Sequence, residues 1–248
     1  METEFRYKYE VHMHTSQGSA CGRTQGHEYV EAFLEAGYDG IIITDHFLRG
    51  NTAIDRSLPW EDFVEGFCKG FEDAKEAGDK AGLKVFFGWE ECNYGDEYLV
   101  YGLDKAWLKA HPEYRRCTMK EQLRLVHEGG GVVVQAHPFR EEWYIEEVRI
   151  YPDDVDGCEI INATHSSSKS KSHNNPEFNV KAIAYAKEQG FCTSGGSDIH
   201  STYLFGGGMA FSTKLKDPQD FIQRLLNKED YVITDGDHWY TRTGDLIV

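Results

Sequence analysis

The chain has 248 residues, 40% of them hydrophobic and 13% aromatic, which is enough for one substantial core and fits a single domain over 1–248. Acidic residues outnumber basic ones 42 to 26, and the net charge of −16 argues against binding long nucleic acid, which needs clustered Lys and Arg. No apolar run approaches the roughly 20 residues of a membrane span, and the first residues lack a basic-then-apolar leader.

The six cysteines are scattered, without a C-x-x-C pair, so a zinc finger or disulfide framework is not expected. Together these features predict a cytoplasmic protein with reduced thiols and no membrane contact.

In chain order, short runs rich in β-branched and aromatic residues read as buried strands. They cover 9–14, 40–46, 83–91, 97–103, 131–138, 157–165, 190–200 and 208–213. Helices lie between them. Residues 27–36 place Val30, Phe33 and Leu34 on one face and stop at Gly37, and 60–81 repeats Phe63, Phe67, Phe71 and Ala74 before Gly82. Thr118 and Glu121 form a capping-box pattern. Asn175-Pro176 and Asp217-Pro218 each open a further helix, the former ending at Gly190.

This alternation predicts parallel strands with crossover helices, hence an α/β barrel or an open sheet. A Gly-rich phosphate loop is missing, which weakens a nucleotide-binding open sheet. The polar stretch 166–176 is placed where a loop over an active site would lie. Residues 236–240 either cover that site or pack on the barrel.

The positions of the histidines carry the functional signal. His12, His14, His46, His137, His165 and His200 each close an apolar run, and so do Glu90 and Asp198. In a parallel barrel such strand ends converge on one face. His12 and His14 are two apart on a strand, so both point to the same side, and Asp198 and His200 repeat that spacing. A lone strand histidine is usually a hydrogen-bonded core residue. Eight such groups at strand ends instead predict a metal site, because burying them unpaired costs several kcal/mol each. Imidazoles mixed with carboxylates suit divalent Zn, Mn or Fe.

At this point the residues resemble a known family. His12-Met13-His14-Thr15, Thr44-Asp45-His46, Gly88-Trp89-Glu90, Ala136-His137-Pro138 and Gly196-Ser197-Asp198-Ile199-His200 are similar to the ordered motifs of the polymerase and histidinol phosphatase (PHP) family, over about residues 8–212. The resemblance implies a distorted, TIM-barrel-like (β/α)7 barrel with two or three divalent ions. It implies that His12, His14, Glu90 and Asp198 hold the first ion, that Glu90 bridges to a second also bound by His137, and that His46 and His200 serve a third.

Two departures from the family pattern stand out. After the H-x-H pair only Cys21 offers a strong ligand, and around Gly95-Asp96-Glu97-Tyr98 carboxylates stand where a histidine is common. Asp96, Glu97 or water is therefore expected to complete the second site. Arg140 has two readings, a phosphate clamp or the partner of a neighbouring acid. His165 has three: substrate-side, structural or ligand. Asp45 is expected behind the ligands, and Arg23, Arg49, Lys169 and Lys171 as surface charges.

The activity implied is hydrolysis of a small phosphate monoester by a metal-activated water, with Glu90 and Arg140 as catalytic residues. The alternatives are a phosphodiesterase or exonuclease on short nucleotides, and a non-catalytic PHP module.

Overall fold

The computed structural model describes residues 4–143 and 145–247. Seven strands build its central sheet: β1 (Tyr7–Glu10), β2 (Gly40–Ile43), β3 (Lys84–Asn93), β4 (Asp96–Tyr101), β5 (Val132–Ala136), β6 (Gly157–Asn162) and β7 (Cys192–Gly196). They lie side by side in chain order. β8 (Gly207–Phe211), β9 (Tyr231–Asp235), β10 (Trp239–Thr241) and β11 (Leu246–Ile247) extend the other edge of β1 as an antiparallel series.

The expectation of uniformly parallel strands fails at β4, which runs antiparallel to both β3 and β5. The cause is local. Only Tyr94 and Gly95 separate β3 from β4, and both have positive φ (54° and 95°), as a tight hairpin turn requires. A parallel crossover needs about a dozen residues or more. The fold is thus a mixed α/β arrangement around a curled half-barrel sheet, not a regular strand–helix repeat.

The curl is secured just beyond the strand ends. The Asp198 N–H donates to the His12 carbonyl at 2.8 Å, and the His14 N–H to the Ile199 carbonyl at 2.9 Å, so the extensions of β1 and β7 meet. The extension of β2 joins β3 in the same way, with the Glu90 N–H on the Asp45 carbonyl at 2.9 Å. The segments carrying the histidine motifs are therefore laced to one another by backbone hydrogen bonds.

Helices cover the outside: α1 (Gly26–Glu35), α2 (Trp60–Phe67), α3 (Lys69–Ala81), α4 (Lys105–Ala110), α5 (Met119–Glu128), α6 (Ala163–Ser166), α7 (Glu177–Gln189) and α8 (Pro218–Leu226), with a 3-10 turn at Pro112–Arg116. The stretch 60–81, expected as one helix, breaks at Cys68 into α2 and α3. Phe63, Val64 and Phe67 of α2 join Phe47, Trp89 and Tyr114 in an aromatic core, whereas Ala74 of α3 packs with Val30 and Phe33 of α1. Two cores pull the two halves in different directions. The expected capping box at Thr118 and Glu121 is present, and Asp217 caps α8 by accepting from the Asp220 N–H at 2.8 Å.

The C-terminal segment packs on the sheet edge: β10 pairs with β9, and Asp237 takes the N–H and hydroxyl of Ser168, tethering the loop after α6. All six cysteines are free thiols. Among the described residues, no helix is long and apolar enough to cross a membrane.

One surface pair allows a simple test of charge. His127, in the last turn of α5, meets Asp156 at 2.9 Å, and this hydrogen bond raises its pKa above the usual 6.5. The folded pKa lies above the unfolded one, so the stabilisation is complete below about pH 6.5 and fades as pH rises through the folded value. We expect His127→Gln to cost about 0.5 kcal/mol in urea unfolding at pH 5.5 and almost nothing at pH 9. An equal cost at both pH values would show that the ionic contribution is absent.

Candidate metal centre

The strand-end histidines and carboxylates meet at the mouth of the curled sheet. His12 Nε2 lies 3.1 Å from Glu90 Oε1, His14 Nε2 3.1 Å from Asp198 Oδ1, and His46 Nδ1 2.8 Å from Glu90 Oε2. His137 Nε2 is 3.4 Å from both Glu90 and Glu97. Among the described residues, four overlapping groups have potential ligand atoms within 4.8 Å of one another: His12/His14/Glu90, His12/His137/Asp198, His46/Glu90/Glu97 and His14/His46/His200. Glu97 faces this cluster, while Asp96 turns to Arg149 at 3.5 Å.

The hydrogen bonds behind the cluster set the tautomers. His12 Nδ1–H donates to Glu159 Oε1 at 2.9 Å, which leaves the Nε2 lone pair aimed at Glu90. Ser19 gives its hydroxyl proton to Asp45 at 2.7 Å and accepts from His14 Nδ1–H at 3.1 Å, so His14 Nε2 also presents a lone pair, towards Asp198. Asp45 thus bonds Thr15 and Ser19 behind the cluster histidines. Imidazole lone pairs facing carboxylate oxygens repel unless a cation or protons lie between them. Five buried atoms here, His12 Nε2, His46 Nδ1, His137 Nε2 and both oxygens of Glu90, have no hydrogen-bond partner. Natural interiors rarely leave such groups unmet, and this donor set fits divalent metal ions.

The electrostatics agree. Burial disfavours the charged ring of His12, yet Glu159, Asp198 and Glu90 outweigh it and hold its pKa well above the ordinary range. His46 is raised in the same way, against burial, by Glu90 and Cys21. Burial would raise the Glu90 carboxyl, but His12 and His46 drive it well down. A field that gathers protons at these rings also favours a cation.

His137 and Asp198 adopt positive φ (27° and 54°) without being glycine. Such strain costs about 1–3 kcal/mol and concentrates at functional sites. Gly196 is required just before: a Cβ there would lie 2.5 Å from that of His12.

Arg140 Nη2 bonds Asp198 Oδ2 at 2.6 Å and Nε donates to His165 Nε2 at 3.0 Å. The other nitrogen of His165 meets Asn179 Oδ1 at 3.0 Å, so both ring nitrogens are engaged. Burial, Arg140 and His137 push its pKa down to about 2, leaving a neutral ring that orients Arg140. Cys21 sits beside His200 and His46. Burial acts to raise its thiol, but hydrogen bonds with those two rings prevail and bring it to about 7.

A cavity of about 1370 Å³ opens over the cluster, lined by His46, Asp198, His200 and Arg140. Arg23 and Lys171, expected as plain surface charges, also line it, and so do Ser172 and His173 from the loop predicted to lie over the site. Arg49 and Arg56 line the wall but spend their guanidinium groups on the protein, on Gln122 and on the Leu48 carbonyl respectively.

Sequence reasoning missed Glu159 as a site residue. Its Oε2 accepts the His137 N–H at 3.1 Å and Asn162 Nδ2 at 3.0 Å, so one carboxylate braces two cluster histidines. The available signal was a carboxylate inside the apolar run of β6, the pattern that exposed Glu90. It missed Glu10 as well, whose Oε1 accepts from the His12 and Ser197 N–H groups at 3.0 and 2.9 Å. Burial pushes the Glu10 carboxyl up to about 7 despite these bonds.

Fold and cluster together define an α/β protein with a buried histidine–carboxylate centre under an open cavity. Its fold is similar to those of solved proteins described as predicted metal-dependent phosphoesterases. It is similar to a two-domain protein from Bacteroides vulgatus ATCC 8482 containing a predicted PHP-like metal-dependent phosphoesterase, with TM-score 0.67 and 18% identity over 92% of this chain. This chain spans 64% of that protein's length. A candidate metal-dependent phosphoesterase from Bifidobacterium adolescentis ATCC 15703 matches with TM-score 0.55 and 16% identity, over 89% of this chain and 96% of the other. An amidohydrolase from Chromobacterium violaceum, solved with bound sulfate and no metal, matches with TM-score 0.53 and 15% identity, over 77% and 87%. Neither a protein-family model nor a curated protein matches the sequence.

Proposed function

We propose that this protein is a metal-dependent hydrolase of phosphate monoesters, with two or three divalent ions (Zn, Mn or Fe) held by His12, His14, His46, Glu90, His137, Asp198 and His200. On this reading β1–β7 form a distorted seven-stranded barrel. The observation that carries the proposal is the set of five buried, partnerless ligand atoms converging beneath a cavity lined by cationic side chains. Glu97 and Cys21 are the further residues placed to complete the ligand set.

The chemistry that divalent ions supply in such a site is polarisation of the phosphoryl group and acidification of water near neutral pH. The chain's own residues do the rest. Glu90, with one oxygen toward His12 and His137 and the other toward His46, would be a shared ligand of the cluster if metal ions are bound. Arg140 lines the cavity, with Nε on His165 and Nη2 on Asp198, and sets a positive charge beside the cluster that would favour an anion there.

The direct test is metal analysis of protein purified without chelator, followed by phosphate release from a monoester panel in Mn and in Zn. Stoichiometric transition metal and release from at least one monoester are expected. Protein that takes up no metal, or metal-loaded protein that releases no phosphate, would sink the proposal.

Glu159→Gln tests the bracing carboxylate. It is expected to weaken metal affinity about 10- to 100-fold in competition titrations while circular dichroism stays unchanged. Unaltered affinity would remove Glu159 from the account.

A further inference from the structure

Asp198 enters the cluster on a strained backbone (φ 54°), with Oδ1 3.1 Å from His14 Nε2 and Oδ2 bonded by Arg140 Nη2 at 2.6 Å. Arg140 thus grips one oxygen of this carboxylate and leaves the other facing the histidines. What grips Arg140 lies deeper. Its Nε–H donates to His165 Nε2 at 3.0 Å, so the neutral His165 ring must carry its proton on Nδ1.

Asn179 of α7 decides that point. It is buried beside Phe178, Ala182 and Ala186, so its amide must find partners inside the protein. The Asn162 backbone fixes which end of the amide is which. The Asn162 carbonyl accepts from Asn179 Nδ2 at 3.1 Å, and the Asn162 N–H donates to Asn179 Oδ1 at 3.1 Å. Nδ2 also donates to the Ser166 hydroxyl oxygen at 3.1 Å. Oδ1 is therefore the atom 3.0 Å from His165 Nδ1, and an acceptor there keeps the proton on Nδ1. Phe178, the neighbour of Asn179, packs edge-on against the same imidazole, with ring centroids 5.1 Å apart. From the Asn162 backbone to Asp198, each hydrogen bond then has one direction.

We propose that Asn179 is a positioning residue of the metal centre, acting through His165 and Arg140 to hold Asp198 in its ligand orientation. The inference rests on the metal-dependent reading above, and it adds a helix outside the sheet to the parts that tune the site. Partners standing behind a metal ligand commonly set affinity over about 10- to 100-fold.

Affinity for Zn and for Co, measured by competition with a chromophoric chelator, tests this in the wild type, Asn179→Ala, His165→Leu and the double variant. Each single variant is expected to bind both ions about 10-fold more weakly and to alter the visible absorption of the cobalt-loaded protein. The double variant should lose about as much as one single variant, because the two residues act in series, whereas independent sites would multiply their losses. A purely structural role for Asn179 would lower the Tm of metal-free protein and leave affinity and cobalt spectrum unchanged. His165→Leu keeps Asn179 on the Asn162 backbone and removes only the middle link, so it carries the test if Asn179→Ala does not fold.

Unchanged affinity in the single variants, or losses that multiply in the double variant, overturns the inference and leaves the metal-dependent reading intact. Wild-type protein that binds neither ion overturns that reading itself, and the role of Asn179 falls with it.

Discussion

Replacing Glu90 with glutamine is expected to abolish turnover and strip metal from the centre, lowering kcat/KM by on the order of 10³-fold or more. The size follows from the position of the carboxylate. It is fully buried, both oxygens lack hydrogen-bond donors, and His12, His46 and His137 surround it within 3.4 Å. Glutamine keeps the shape but removes the negative charge and replaces one oxygen with an amide donor, so it would be a far poorer ligand for cations in this cluster. The adjacent Glu91 is the natural control. Its carboxylate accepts the Arg49 and Cys92 N–H groups, and burial pushes it up to about 7, so Glu91→Gln should leave metal content unchanged. Metal analysis and phosphate release on both variants decide the matter. Glu90→Gln protein with full metal and full turnover would refute its role as a ligand.

Much of this centre is legible in the sequence because it depends on strand periodicity. His12 and His14 share a face by the two-residue repeat, and the closing positions of several runs converge when strands curl. Glu159 is not legible in that way. Its value lies in reaching His12 from β6 and the His137 backbone from β5, and those distances exist only once the strand order is known. The same holds for Arg140, whose open readings narrow when both Asp198 and His165 are seen beside it.

The fold shows a similar divide. Strands β1 to β8 lie within the apolar runs or extend beyond them by a residue or two at one end, since burial on both faces leaves a strong pattern. Strands β10 and β11, of three and two residues, are too short to leave a pattern, whereas β9, five buried residues between β8 and β10, was simply missed. The break at Cys68 was hidden too, since the helical spacing of Phe63, Phe67, Phe71 and Ala74 continues across it and only packing separates α2 from α3. The direction of β4 is a matter of turn length, and Tyr94-Gly95 is a weaker hairpin signal than Asn-Gly.

Removing metal should also destabilise the protein, and more so at high pH. Ligand that binds the folded state at about 1,000 times its Kd contributes about 4 kcal/mol, and for a chain of this size that corresponds to a Tm shift of about 10 °C. In stripped protein, protons take over part of the cation's place. His12 and His46 have folded pKa values raised above 6.5 by the surrounding carboxylates, so their contribution is complete below about pH 6.5 and is lost as pH climbs through the folded values. Glu90 and Asp198 have depressed pKa values, so their contribution is already complete above about pH 5 and adds no slope in this window. Metal-loaded protein lacks the loss, because ligand atoms freed of protons bind metal more tightly. The gap in Tm between loaded and chelator-treated protein should therefore widen between pH 6 and pH 8.5, and in Glu90→Gln protein it should largely disappear. Identical melting curves with and without chelator at pH 8.5 would mean that the buried cluster stabilises itself, and the case for a resident metal would fall with that result.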